Sequence, residues 1–258
     1  MSGYWKDEPW AHVNQLVAEL EKVYEQGIKA GKILSPADTA VRKLMLYRGW
    51  HPSLPQAALR WVVQELEIVY VPKGLGPGPG LLFPIRDLTG EVVRLHIRLL
   101  EDGPERFKMK YMSLVDDKAN FLGPAWLGAD EPTLNAIIAR REVFVVEGPL
   151  DLAAIRILGC PVPSLSSGTK KLTDDHWDYL RVLGVKTLYA MLDNEASQVG
   201  GKAADWMARN PYGIEVVTCQ CPVKDPSDAL RPPRDMHELI KAFSPTNADH
   251  LTFTDLDL

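Results

Sequence analysis

Residues 141–159 read R-E-V-F-V-V-E-G-P-L-D-L-A-A-I-R-I-L-G, and the order of residue types along them decides the architecture. Val143 to Val146 is an apolar run with the composition of a buried strand. It stops at Glu147, and Gly148-Pro149 turns the chain. From Asp151 onward, Leu152, Ile155 and Leu158 recur at helical spacing, and Gly159 offers a stop. One carboxylate therefore stands at the carboxyl end of a strand, and a second at the start of the helix after it. In open α/β sheets that edge is where ligands bind. A lone acid in such a turn is often only a helix cap, so the reading depends on whether other strands deliver acids to the same edge.

They do. A second apolar strand, 185–192, ends at Asp193-Asn194-Glu195, and an alanine-rich helix is predicted over 200–209. A third strand, 214–219, leads into Lys224-Asp225-Pro226-Ser227-Asp228 and a short helix. Between the first two, a short strand around Val162 precedes Ser164-Leu-Ser-Ser-Gly-Thr-Lys-Lys, and a helix is predicted over 174–183. Repeated strand, acid and helix predict a parallel, doubly wound sheet with its acids on one edge. Glu147, Asp151, Asp193, Glu195 and Asp225 converge there, with Asp228 nearby. Like charges in one cleft repel unless a cation neutralises them. Hard carboxylate oxygens select magnesium, manganese or calcium, and magnesium favours a few carboxylates plus substrate phosphates. Lys224 would offset charge or touch a phosphate. Taken singly, Asp151 reads equally as a cap, and Asp193, Glu195 and Asp225 as turn residues. The threefold recurrence carries the inference.

Upstream, residues 9–32 predict an amphipathic helix. Ser35-Pro36 caps a second helix that stops at Gly49, and Ser53-x-x-Gln56 reads as the capping box of a third. Residues 66–71 turn strand-like. The glycine-proline run 74–80 lacks the Lys-Ser/Thr ending of a phosphate loop and reads as a hinge or spacer. Residues 81–86 and 91–100 form a hairpin signature around Asp87-Leu-Thr-Gly90. In its second strand Val93, Leu95, Ile97 and Leu99 share one face, and Arg94, His96 and Arg98 the other. Arg106, Lys108 and Lys110 alternate with Phe107, Met109 and Tyr111 in the next strand. The basic face is either a solvated sheet surface or a groove for phosphates. Residues 114–130 look irregular, and a short helix is predicted over 132–140.

The chain has 258 residues, 46% of them apolar, and a formal net charge of −5, so any contact with nucleic acid needs a local basic patch. Three cysteines, Cys160, Cys219 and Cys221, make no disulfide framework and no zinc spacing. The absence of a signal pattern and of a bilayer-length apolar run predicts a cytoplasmic protein that does not enter a membrane.

E-G-P-L-D, D-N-E and K-D-P-S-D resemble the TOPRIM domain, over about residues 142–242. F-P-I-R-D-L-T-G-E-V-V-R at 83–94, with Arg98-Leu99, Lys110-Tyr111 and Gly168-Thr169, resembles the RNA polymerase core of bacterial-type and phage or plasmid primases. The resemblance implies an α/β chain: a helical module (1–72), a mixed α+β subdomain with basic strands (73–140), a TOPRIM-type parallel sheet flanked by helices (141–243) and a tail (244–258). It implies a DNA primase that makes short RNA primers on single-stranded DNA from ribonucleoside triphosphates, with Mg2+ or Mn2+ as cofactor. A TOPRIM nuclease, or a non-catalytic DNA-binding module, is the alternative. Glu147 and Asp193 would be catalytic, and Glu147, Asp193, Glu195 and Asp225 would hold metal. Arg86, Arg94, Arg98, Lys108, Lys110 and Lys224 would meet template or nucleotide, with Asp151, Gly168, Thr169 and Asp228 in support. The second motif departs from the family's Asp-x-Asp, being Asp193-x-Glu195, and residues 197–201 read as a small insertion. No cysteine-rich zinc module or phosphate-loop helicase domain is recognisable, so a replicative helicase or other replication protein is an expected partner, in the nucleoid or a replication complex.

Overall fold

The structure, a computed structural model, describes residues 9–30, 35–50, 54–72, 79–87, 92–100, 111–113, 126–168, 172–192, 210, 212–219, 221 and 223–231. Residues 88–90 of the predicted turn, the Arg106, Lys108 and Lys110 run, the helix 200–209 and the tail lie outside the described residues.

Local chemistry sets the helix ends. α1 spans Pro9–Lys29. α2 (Pro36–Arg48) starts where Ser35 Oγ accepts from the Asp38 amide at 3.2 Å, and ends at Gly49 in the left-handed conformation (φ 66°). α3 (Gln56–Glu65) is preceded by Pro55 at the cap position, so the predicted Ser53 capping box is not the start; Ser53 itself lies outside the described residues. α4 (Glu131–Arg140) is capped by Asp130, whose Oδ1 accepts from the Thr133 amide at 2.9 Å.

The strands form two sheets. β1 (Val69–Val71), β2 (Gly80–Arg86), β3 (Val92–Leu99) and β4 (Tyr111–Ser113) are antiparallel in that order. Gly80 corrects the spacer reading, for it opens β2 rather than ending a loop. A Cβ there would lie 2.7 Å from both the Arg98 carbonyl and Ile97 Cγ1, so the strands approach this closely only around a glycine. Pro84 lacks an N–H, and it lies beyond Leu82, the last residue of β2 paired with β1.

β5 (Glu142–Val146), β6 (Ser164–Ser166), β7 (Thr187–Met191) and β8 (Glu215–Thr218) form a wholly parallel sheet in the order β6-β5-β7-β8. This is the predicted doubly wound arrangement. β6 sits two residues beyond the expected strand at Val162: the serine-rich segment, not the apolar one, pairs with Phe144 to Val146. α5 (Pro149–Ile157) follows β5, α6 (Asp174–Val182) follows β6, and a short 3-10 turn, Pro226–Leu230, follows β8.

Both faces of the parallel sheet are covered. Phe144, Val146 and Met191 join one core with α2, α3, α5 and the 3-10 turn. Val143, Val145, Leu165, Leu188 and Ala190 join a second with α4 and α6. Each fully buried Val, Leu or Ile contributes about 1.5–3 kcal/mol, so this sheet is the stability centre of the chain. On the antiparallel sheet, Leu82, Leu95 and Ile97 pack on Leu20 and Tyr24 of α1, while Leu81 and Phe83 point into the first core. Trp126 and Leu127 join the sheets. Trp126 exchanges two backbone bonds with Arg86 (3.0 and 3.1 Å), and Leu127 exchanges two with Ser166 (both 3.1 Å). Among the described residues no helix is long and apolar enough to cross a membrane.

Candidate active site

The strand order reverses between β5 and β7: the chain leaves β5 for β6 on one side and returns to β7 on the other. Ligands bind outside the carboxyl ends of strands at such a switch point. Val146 and Met191 are register partners at that edge, and Glu147 is the next residue after β5. Glu147 is half-buried, and its Oε2 is shielded from solvent. Its main-chain oxygen accepts from Ser166 Oγ at 2.9 Å, which fixes the loop against β6.

Asp151 is buried and accepts two bonds from different motifs. Its Oδ2 takes the Gly148 amide at 3.1 Å, and its Oδ1 takes the Ser227 amide at 3.2 Å. The first is the reverse half of a capping box, which closes the turn behind Glu147. The second ties that turn to the Lys224–Asp228 segment, 76 positions away in sequence. The cap reading of Asp151 therefore holds, and the same side chain ties together the two loops that carry Glu147 and Asp225.

Asp225 caps the 3-10 turn, its Oδ1 accepting from the Asp228 amide at 2.8 Å. Asp228 turns away into ion pairs with Arg231 (3.0 Å) and Arg48 (3.7 Å). It is a structural anchor, not a contributor to an acidic cluster. Lys224 is exposed next to Asp225. Among the described residues no three His, Cys, Asp or Glu side chains form a metal-holding group. Asp193 and Glu195 lie outside the described residues. The donor set is nonetheless of one kind: carboxylate oxygens following parallel strands, hard ligands that suit magnesium or manganese.

The basic row lies near the loop that follows β6. Arg94, His96 and Arg98 pair in register with Ile85, Phe83 and Leu81, so they share the sheet face that points into the central core. All three are partly buried. A Cβ at Gly168, which has φ 63°, would lie 3.9 Å from His96 Cε1, so the row reaches the loop after β6. That excludes the reading of this face as a freely solvated surface. Arg94 also acts on His176, whose pKa is pushed down to about 4, first by burial and then by this cation, against the opposing pull of Asp175. Arg86, expected on the same surface, is bound instead to the Glu67 carboxylate. Lys108, Lys110 and Thr169 lie outside the described residues.

Two residues went unnoticed in the sequence. Arg156, on α5, is buried at the centre of a network. It donates to the carbonyls of Gly128 (3.0 Å) and Ser164 (2.8 Å) and pairs with Glu65 (3.2 Å) and Asp130 (3.5 Å). Arg48, the last residue of α2, donates to Ser227 Oγ at 2.8 Å. Neither carries a local signal, because each is an arginine on a helix whose partners are distant in sequence. A cavity of ≈ 370 Å³ beside Arg156, lined also by Trp61, Glu65 and Arg140, opens at the amino-terminal edge of the sheet, away from the acids.

No protein-family model matches the chain, and no curated protein matches it. Solved structures do. The RNA polymerase domain of Mycobacterium tuberculosis primase DnaG superposes with a TM-score of 0.59 at 21% identity, covering 83% of this chain and 78% of that one. A DNA primase domain from Pseudomonas aeruginosa gives 0.60 at 18%, covering 90% and 78%. A DnaG primase catalytic domain bound to single-stranded DNA gives 0.59 at 19%, covering 91% and 81%. The chain has the fold of the primase catalytic core, with its TOPRIM-type sheet.

Proposed function

We propose that the chain is a primase catalytic core that joins ribonucleotides on a single-stranded DNA template. The observation that carries the reading is Asp151, which binds the Glu147 loop and the Asp225 loop into one unit at the carboxyl edge of the sheet. The row of Arg94, His96 and Arg98 reaches the loop after β6 beside that edge. The likeness to primase domains, one of them bound to single-stranded DNA, supports the same reading. Glu147, Asp193, Glu195 and Asp225 would hold Mg2+ or Mn2+. When bound, the cation supplies counter-charge to the triphosphate and to the pyrophosphate that leaves. Glu147 and Asp193 act at the reacting end, where a carboxylate can take the proton of the attacking 3′ hydroxyl. Arg94 and Arg98 hold phosphates of template or nucleotide, and Lys108, Lys110 and Lys224 extend that surface. Positioning and electrostatics supply most of the rate in such transfers. Arg86, paired with Glu67 at the surface, would exchange that partner for a phosphate of template or nucleotide. A replicative helicase or another replication protein would bring the template.

The test uses the full chain with single-stranded DNA, labelled ribonucleotides and magnesium or manganese. Short RNA products are expected, falling by about 100-fold or more in Glu147→Gln and Asp193→Asn. Degraded DNA without synthesis would make it a nuclease. Salt-sensitive DNA binding indifferent to both substitutions, without products, would make it a non-catalytic module.

A further inference from the structure

We infer that Arg48 is a positioning residue for the acidic edge, through which the amino-terminal helices control the Asp225 loop. The inference rests on the reading of that edge as a cation site. Arg48 lies 179 positions from Ser227, yet its Nη2 donates to Ser227 Oγ at 2.8 Å and lies 3.7 Å from Asp228 Oδ1. Only 14% of either side chain in the Arg48–Asp228 pair is exposed, so the interaction is sheltered from screening. Arg231 holds the same Asp228 oxygen from within the loop at 3.0 Å.

From there the bonds run inward. The Asp228 amide donates to Asp225 Oδ1 at 2.8 Å, and the Ser227 amide donates to Asp151 Oδ1 at 3.2 Å. Asp151 Oδ2 then takes the amide of Gly148, the neighbour of Glu147. Asp225 Oδ2 makes no hydrogen bond among the described residues and is the oxygen left for a cation. Arg48 thus stands at one end of a continuous path, and two candidate cation ligands stand along it. The core is consistent with this: Ala40, Val41 and Leu44 of α2 belong to the same buried cluster as Ala229 and Leu230. Partners behind metal ligands commonly set affinity by about 10–100-fold.

The experiment compares Arg48→Ala, Arg48→Lys and Leu44→Ala with the unaltered chain. Leu44→Ala removes core volume on the same helix but no bond to the loop, so it reports what general destabilisation does. Amide exchange is followed at 223–231 and 147–152, with 174–182 as reference. Arg48→Ala is expected to speed exchange at the Ser227 and Asp228 amides by about 10-fold with α6 unchanged. Arg48→Lys, which lacks the planar fork, should recover only part of the protection. Calorimetric titration with Mn2+ should show affinity falling about 10-fold in Arg48→Ala and unchanged in Leu44→Ala. Exchange in Arg48→Ala no faster than in Leu44→Ala overturns the proposal whatever the metal does. Faster exchange with unaltered Mn2+ affinity overturns the control of the cation site. If the unaltered chain takes up no Mn2+ while exchange responds as expected, Arg48 holds the loop and the reading of the edge as a cation site fails instead.

Discussion

Gly128 is the residue on which the buried arginine network closes. It adopts φ 80°, and a Cβ there would lie 2.6 Å from Arg156 Nη2 and 2.9 Å from Leu152 Cδ2. Gly128→Ala therefore meets both a disfavoured backbone and a collision with a side chain held by Glu65, Asp130, Thr133 and Ser164. A loss of about 2–4 kcal/mol is expected in urea unfolding, against under 1 kcal/mol for alanine at an exposed site. Arg98 belongs to the same scale with a different readout. If it holds a phosphate of single-stranded DNA, Arg98→Ala should weaken binding and flatten the dependence of log affinity on log salt by about 0.7. An unchanged slope would remove it from the interface. Of the candidate site, Glu147 was legible because it directly follows an apolar run, and Asp151 and Asp225 because each opens the turn or helix that comes after a strand. The arginines that organise them were not: Arg156 reads as an ordinary polar helix position until Glu65 and Asp130 are folded against it. The Glu67 partner of Arg86 was not legible for the same reason, since it belongs to an earlier segment.

Elements were legible where their ends carry chemistry. Ser35 and Gly49 bound α2 as expected, because a serine cap, a proline in the first turn and a left-handed glycine are local devices. β6 was misplaced because Ser164-Leu165-Ser166 has no strand-like apolar pattern. Its hydroxyls are spent inside the fold instead, on Arg156 and on the Glu147 carbonyl. The turn opening α6 offers a prediction. His176 Nδ1 accepts the Thr173 amide at 3.2 Å, with the ring edge-on to Trp126. An acceptor nitrogen must be unprotonated, and burial, aided by Arg94 against Asp175, lowers the pKa to about 4. An unfolded histidine binds its proton near pH 6.5, so between pH 6.5 and 4 the unfolded state holds more protons. Stability from this group is therefore complete above pH 6.5 and is lost as pH falls towards 4, by roughly 3 kcal/mol across the window. Glutamine at the same position preserves the cap without titrating. His176→Gln should then lose clearly less stability than the unaltered chain between pH 7 and 4.5 in urea titrations, and equal losses would assign the acid sensitivity to other groups.

At the scale of the whole molecule, two sheets that the sequence presents as separate are joined by a short seam. The parallel sheet was legible from its repeating order, and Glu147 follows β5 at the carboxyl edge beside the reversal between β5 and β7. The seam was not legible, because residues 114–130 have no period and a two-residue bridge leaves no pattern. Yet Trp126 and Leu127 carry four backbone bonds, two to Arg86 of β2 and two to Ser166 of β6. They hold β2 of the antiparallel sheet against β6 of the parallel one. Leu127→Pro removes the N–H that Ser166 O accepts and leaves that carbonyl unpaired beside the core. Trp126→Phe keeps all four backbone bonds, and its cost is confined to the volume of a smaller ring. If the seam makes the sheets one cooperative unit, Trp126→Phe should still unfold in a single transition at a lower midpoint. Leu127→Pro should separate amide exchange into two classes, with β2 and β3 opening at a lower free energy than β5 and β7. It should also weaken single-stranded DNA binding more than its loss of stability accounts for, because the basic strands would no longer be held against the parallel sheet. One common opening free energy for both sheets in Leu127→Pro would mean that the shared core of Leu81, Phe83, Leu127 and Phe144 is sufficient alone.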